Sequence, residues 1–110
     1  MRILIVEDSK IDRTMIEAKA TSLGYDVICA SNGEEALDLF VQQQPNLVIT
    51  DWTLPGMDGA SLCRKIREAP TQHYVYIILI AALEDTQSMV VGMEAGADDF
   101  VRKPAWFKSG

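Results

Sequence analysis

Three carboxylates and one lysine stand directly after apolar segments that have the character of strands. Glu7 and Asp8 follow "RILIV", Asp51 follows "LVIT", and Lys103 follows "DDFVR". Clustered carboxylates repel one another, and a hard divalent cation such as Mg²⁺ relieves that repulsion. A nearby lysine adds a second positive charge that can contact a phosphoryl oxygen. If the fold brings these residues together, they predict a site that holds a phosphoryl group on a carboxylate, with Asp51 as the nucleophile.

Five β-rich segments recur along the chain and could position these residues. Apolar residues with helical spacing lie between them, and Asn32 with Glu35 forms a predicted helix cap. Such alternation predicts a parallel sheet with helices on both faces. The predicted strands are 2–6, 26–30, 47–50, 74–80 and 98–102. The predicted core positions of the helices are Ile11, Met15 and Ala18, then Ala36, Leu37, Phe40 and Val41, then Leu62 and Ile66, and last Met89, Val90 and Met93.

The composition of the five segments predicts their order in the sheet. The first, third and fourth are nearly continuous apolar runs, as in central strands that are covered on both faces. The second and fifth carry charged residues, which suits the edges. The predicted order is 2-1-3-4-5, with the first and third strands adjacent at the switch point. Ligands of such sheets bind there, outside the carboxyl ends of the strands, where the acids and Lys103 would meet.

Composition and charge limit the range of functions. The 110 residues are 48% hydrophobic, which is enough for one domain with a single core. The net charge of -6 argues against direct binding to nucleic acid or to an anionic membrane. The longest apolar run, 74–83, is about half of what a membrane-spanning helix needs. We therefore expect a cytoplasmic protein with neither nucleic acid nor membrane as a direct partner.

The chain resembles the receiver domain of two-component response regulators, the CheY-like family, over nearly its whole length. Four motifs carry the resemblance, in order and at family-like separations: "ILIVEDS", "NGEEAL", "LVITDWTLPGMDG" and "GADDFVRKP". It implies a flavodoxin-like doubly wound fold and a signalling switch in a bacterial phosphorelay. The implied phosphoryl donor is a sensor histidine kinase or a phosphotransfer protein. It also implies a phosphoprotein that is no turnover enzyme, limited to its own phosphorylation and slow autodephosphorylation.

The resemblance implies a role for each of the residues that could meet at the switch point. Asp51 matches the phosphoacceptor, and Glu7 and Asp8 match the acidic pair that binds Mg²⁺. Asp8 would be a direct ligand, whereas Glu7 would act through water. Thr53 would give its backbone carbonyl to the metal. Lys103 would contact the phosphoryl group.

Two further positions follow from the resemblance, and one of them departs from the family pattern. The peptide before Pro104 would be cis, and Phe100 matches an aromatic residue that rotates on activation. The fourth strand of a receiver usually ends in Thr or Ser, whose hydroxyl contacts the phosphoryl oxygen. This chain has Ala81 at that position. Phosphorylation needs only Asp51, the metal and the lysine, so the departure bears on the switching step.

The end of the chain is the second departure. Receivers have a fifth helix after "KP", whereas only "AWFKSG" follows here. We expect a receiver domain over 1–110 that is truncated before this helix, with an output domain as a hypothesis for a longer chain. Alternatively, another element or subunit covers the apolar patch that would remain beside the first and third strands. Self-association as a homodimer is a hypothesis that follows from this second alternative.

Other classes of protein fit the sequence less well. A phosphatase of the haloacid dehalogenase type needs a second acid two residues after its nucleophile, where this chain has Thr53. An FMN site would be repelled by the two acids of "EDSK", and a dinucleotide site lacks its glycine motif. The main alternative is a receiver fold that no longer switches and serves as a docking or dimerisation module. Ala81 favours this alternative, and the retained acids and lysine argue against it.

Overall fold

The computed structural model describes residues 1–82 and 87–103, and within them five strands and four helices. Residues 104–110, with the peptide before Pro104, lie outside the described part. No helix in the described part is long and apolar enough to cross a membrane. The strands are β1 (Arg2–Val6), β2 (Asp26–Ala30), β3 (Leu47–Asp51), β4 (Tyr76–Ala81) and β5 (Asp99–Arg102). The helices are α1 (Lys10–Ser22), α2 (Gly33–Gln43), α3 (Gly59–Glu68) and α4 (Gln87–Glu94).

The five strands form one parallel sheet in the order β2-β1-β3-β4-β5, which confirms the predicted doubly wound fold. β3 extends one residue further than predicted, so that Asp51 is itself part of the strand and pairs with Ile80. β4 ends at Ala81, which pairs with Arg102 of β5. The carboxyl ends of β1, β3, β4 and β5 therefore lie side by side at one end of the sheet, its carboxyl end. Every acid and the lysine predicted for the site lie at this end.

Polar side chains cap the N-termini of three helices at the carboxyl end of the sheet. The side chains of Ser9, Asn32 and Asp58 accept hydrogen bonds from backbone N–H groups in the first turns of α1, α2 and α3. These bonds satisfy N–H groups that have no partner inside a helix. The cap predicted at Asn32 is confirmed, with the N–H of Glu35 2.8 Å from Asn32 Oδ1. The capped turns fix where each helix leaves the loop beside the candidate site.

The core consists of two layers, one on each face of the sheet. The larger layer packs α2 and α3 against alternate residues of the central strands, and its members are fully or nearly fully buried. The smaller layer lies on the opposite face, where α1 packs against β1. Burial of these apolar side chains is the main source of stability. The largest side chains of the larger layer are Phe40, Leu4, Leu62, Ile66, Ile77 and Leu79, and the smaller layer contains Ile3, Ile5 and Ala20.

The predicted core face of α1 is wrong. Ile11, Met15 and Ala18 are exposed, and the inward positions are instead Asp12, Ile16 and Ala20. These three are spaced by four residues and so lie on one side of the helix. Because the first inward position is an acid, the inward-facing residues could not be recognised as an apolar stripe in the sequence. The assignment of the α4 residues Met89, Val90 and Met93 to the core is also wrong, because all three are more than 40% exposed.

An apolar groove of about 760 Å³ runs along the α1 face of the sheet. It lies beside β1 and β3, the place where the sequence predicts an uncovered patch. Its wall combines residues of β1 and β3 with residues of α1. The apolar lining residues include Ile3, Leu47, Ile49, Met15, Ile16 and Leu23.

Candidate phosphoacceptor site

Three carboxylates meet at the carboxyl ends of β1 and β3. Glu7, Asp8 and Asp51 each offer an oxygen, and these oxygens all lie within 4.8 Å of one another. Glu7 and Asp51 are buried, whereas Asp8 is exposed to solvent. Oxygen ligands at this spacing, open on one side, suit a hard divalent cation that keeps part of its water shell. The structure thus brings together the three acids that the sequence proposed for Mg²⁺.

Lys103 joins this cluster from the end of β5. Its Nζ lies 2.9 Å from Asp51 Oδ2 and 3.4 Å from Glu7 Oε1, and the side chain is only 4% exposed. The backbone N–H of Lys103 donates a hydrogen bond of 2.7 Å to the carbonyl of Ala81. The end of β4 therefore fixes the backbone that carries the lysine. A buried ammonium beside Asp51 can balance charge that develops on an attached phosphoryl group.

The loop after β1 is held rigidly by hydrogen bonds to Glu7. The backbone N–H of Ser9 donates to Glu7 Oε2 at 3.1 Å, which orients the carboxylate. Arg13 of α1 donates from Nη1 to the backbone carbonyl of Glu7 at 2.8 Å. The N–H of Glu7 donates to the carbonyl of Ala30 at the end of β2. The start of α1 and the end of β2 thus determine where Glu7 lies.

The loop after β3 begins with two backbone contacts that fix Asp51. The N–H of Trp52 donates to the carbonyl of Ile80 at 2.8 Å, and Gly59 donates to the carbonyl of Trp52 at 2.7 Å. The N–H of Thr53 lies 3.4 Å from Asp51 Oδ1, so this residue borders the acceptor carboxylate. Thr53 itself is exposed. That its backbone carbonyl binds the metal stays a prediction.

The two positions connected with switching lie on β4 and β5. Ala81 is buried at the end of β4, one residue beyond the partner of Asp51, and offers only a methyl group there. Phe100 pairs with Leu79 within the sheet and packs, half-buried, against the larger core layer. A Cβ added at Gly92 of α4 would lie 3.8 Å from Phe100 Cδ2, so α4 passes close to this ring. The predicted rotation of Phe100 stays a prediction.

Asp12 is a fourth acid of the cluster that the sequence analysis missed. Its side chain is fully buried, and Oδ2 lies 3.9 Å from Lys103 Nζ. It was missed because the predicted core face of α1 was wrong, and with that face turned inward Asp12 would not face the sheet. No pattern in the sequence marked it, because Asp12 interrupts the inward-facing positions that continue at Ile16 and Ala20.

Burial and neighbouring charges change the protonation of the cluster. Burial raises the pKa of Glu7 to about 7; the N–H of Ser9 opposes this shift, and the negative charge of Asp51 adds to it. Burial by itself would lower the pKa of Lys103, but the hydrogen bond and the charge of Asp51 outweigh it and raise that pKa. Lys103 is therefore an ammonium at neutral pH. Glu7 therefore titrates near neutral pH.

The raised pKa of Glu7 makes stability depend on pH. The folded protein holds this proton to about pH 7, whereas the unfolded chain releases it near pH 4.5. The free energy of unfolding should therefore fall as pH rises between these values, with a Glu7 share of at most about 3 kcal/mol. Glu7→Gln should remove this share. Urea unfolding at pH 5 and pH 8, with a chelator present, measures it against the exposed control Glu68→Gln. Equal slopes in the wild-type protein and Glu7→Gln would contradict the prediction.

The sequence matches the family model described as "Response regulator receiver domain" over residues 3–108. Among curated relatives, the probable transcriptional regulator ycf27 of Porphyridium aerugineum is 40% identical over 103 residues. The match covers 94% of this chain and 42% of that protein, so the chain spans about two fifths of that relative's length.

Two solved structures show the same architecture. A putative response regulator from Chloroflexus aurantiacus has a TM-score of 0.89 at 36% identity, covering 98% of this chain and 87% of the other. The receiver domain of a sensor histidine kinase from Pseudomonas aeruginosa has a TM-score of 0.85 at 34% identity, covering 94% and 84% of the two chains. That second structure is described with a magnesium ion coordinated in its active site cleft. Fold, site geometry and family match agree, and the chain belongs to the response regulator receiver domain family.

Proposed function

We propose that this chain receives a phosphoryl group on Asp51 from a phosphohistidine of a sensor kinase or phosphotransfer protein. The observation that carries the proposal is the buried Asp51 carboxylate with the Lys103 ammonium 2.9 Å from one of its oxygens. An oxygen of Asp51 attacks phosphorus, the bond from phosphorus to the donor imidazole breaks, and the imidazole leaves. The product is an acyl phosphate on Asp51. Lys103 balances negative charge on the phosphoryl oxygens throughout this step.

Mg²⁺ is the cofactor that we propose for the three-carboxylate cluster. Asp8 and Asp51 would bind it directly, Glu7 through water, and Thr53 through its backbone carbonyl. When bound, the ion neutralises charge on the carboxylates and on the incoming phosphoryl group. The chain's own contribution is to hold the acids within 4.8 Å of one another. The hydrogen bonds from Ser9 and Arg13 to Glu7 keep that arrangement ready before the ion arrives.

The switching step in our proposal proceeds without a hydroxyl at the end of β4. Because Ala81 has no hydroxyl, Lys103 is the side chain that contacts the phosphoryl oxygens. Phe100 remains the residue whose packing would change on phosphorylation. The output surface that we propose is α4 with β5. Its exposed apolar side chains, Met89, Val90, Met93 and Val101, suit contact with a partner or an output domain. This surface serves a signalling domain that carries out no turnover beyond its own phosphorylation and dephosphorylation.

Incubation with acetyl phosphate and Mg²⁺, followed by intact-mass measurement, tests the proposal. The wild-type chain should gain one phosphoryl group, and Asp51→Asn should gain none because the amide is no nucleophile for this step. The exposed Asp38→Asn on α2 is the matched control and should behave as the wild type. Omitting Mg²⁺ should lower the yield sharply. No adduct on the wild-type chain, or an undiminished one on Asp51→Asn, would overturn the proposal.

A further inference from the structure

Asp12 stands apart from the other buried polar groups of this protein. Among the side chains described, in 1–82 and 89–103, its two carboxylate oxygens are the only buried nitrogen or oxygen atoms without a hydrogen-bond partner. The side chain is completely inaccessible to solvent. Native proteins seldom leave such groups unpaired, because a buried polar atom without a partner lowers stability. An unsatisfied carboxylate beside a functional site therefore calls for a functional explanation.

Asp12 lies within ion-pair distance of the ammonium of Lys103. Asp12 Oδ2 lies 3.9 Å from Lys103 Nζ, on the α1 side of the lysine. Asp51 and Glu7 approach the same nitrogen more closely, at 2.9 Å and 3.4 Å. An ammonium has three N–H donors, and here three carboxylates surround it. Asp12 is the most distant of the three and the only one without a hydrogen bond.

The arrangement changes once the site holds a cation and a phosphoryl group. The acids close enough together to share a cation are Glu7, Asp8 and Asp51, and Asp12 is outside that group. A cation would draw the charge of Glu7 away from the lysine, and phosphorylation would turn the Asp51 carboxylate into an acyl phosphate. Of the three carboxylates around Lys103, Asp12 is the one that neither the cation nor the phosphoryl group would engage.

We propose that Asp12 is a positioning residue for phosphoryl transfer, whose buried carboxylate holds the Lys103 ammonium in place while the other acids bind the metal and the phosphoryl group. The proposal rests on the proposed function of Asp51. It explains why a destabilising buried acid is present on the inward face of α1. It also assigns opposite effects to one substitution, since removing the charge should help folding and harm transfer.

Asp12→Asn, which keeps the shape and removes the charge, is the main variant for the test. The rate of phosphorylation by acetyl phosphate should fall about tenfold, which corresponds to about 1.4 kcal/mol. In a Lys103→Met background the same substitution should change the rate less than twofold, because Asp12 acts through the lysine. The urea midpoint should stay unchanged or rise, since the carboxylate that is removed makes no hydrogen bond and is one of three negative charges around a single ammonium. Asp12→Leu should repeat both results and covers the case of an asparagine variant that folds poorly.

The ammonium signal of Lys103 gives a readout that does not depend on phosphorylation. In ¹⁵N-labelled protein with Mg²⁺, the Lys103 NH₃⁺ signal should be visible in the wild type and should broaden in Asp12→Asn. A fall in rate with a lower urea midpoint and an unchanged ammonium signal would show a purely structural role and overturn the proposal. So would equal effects in the two lysine backgrounds, or an unchanged rate. A wild-type chain that takes up no phosphoryl group would instead overturn the function assigned to Asp51, whatever Asp12 does.

Discussion

Lys103→Met should slow phosphorylation of Asp51 by about a hundredfold, which is the usual loss when a single charge-stabilising group is removed from a reacting centre. Lys103 Nζ lies 2.9 Å from Asp51 Oδ2 and is nearly inaccessible to solvent, so water cannot replace it. The methionine side chain has a similar length and carries no charge. Single-turnover phosphorylation by acetyl phosphate at saturating Mg²⁺ measures the effect.

The same substitution should also destabilise the protein, and here Mg²⁺ separates folding from chemistry. Without the ammonium, the buried Glu7, Asp12 and Asp51 lose the cation that they share, which should cost about 3 kcal/mol at pH 8 in a chelator. Adding Mg²⁺ should restore much of the stability but not the rate. Lys65→Met, an exposed substitution on α3, should change neither quantity noticeably. A Lys103→Met rate within threefold of wild type would contradict the role given to this lysine.

Gly59→Ala should be the most damaging of the small substitutions near the site. A Cβ at Gly59 would stand 2.4 Å from the backbone oxygen of Asp51 and 3.0 Å from Trp52 Cα. Both contacts are to backbone, which has no rotamer with which to move aside. We expect a loss of about 3 kcal/mol in the free energy of unfolding, at the upper end of overpacking effects. Because β3 must shift at Asp51, phosphorylation should slow even under conditions in which the variant is folded.

Gly33→Ala is the matched control, since Gly33 and Gly59 are both the first residues of capped helices. A Cβ at Gly33 would stand 2.9 Å from the sulfur of Met57, within a flexible side chain. That side chain can move, so this variant should lose less than about 1 kcal/mol. Urea unfolding monitored by tryptophan fluorescence compares the two. Equal losses at the two positions would show that the close approach to Asp51 carries no special strain.

The sequence by itself determined the strand order and the place of the acceptor. Continuous apolar runs identify β1, β3 and β4 as central, and charges identify β2 and β5 as edges. Parallel strands have their carboxyl ends at the same end of the sheet. Glu7, Asp8, Asp51 and Lys103 could therefore be assigned to one pocket from their positions alone. These conclusions depend on short-range patterns that each segment carries independently. No knowledge of how the layers pack was needed.

Only the tertiary structure decided which face of α1 turns inward. Ile11 and Met15 form the more apolar stripe, yet Asp12 and Ile16 face the sheet. The capping bond from the N–H of Asp12 to Ser9 fixes the rotation of the first turn, and packing against β1 and β2 then sets the rest. Propensity and periodicity describe a helix in isolation, whereas its rotation depends on the loop that precedes it and on the surface that it meets. For this reason the carboxylate of Asp12 beside Lys103 became visible only in three dimensions.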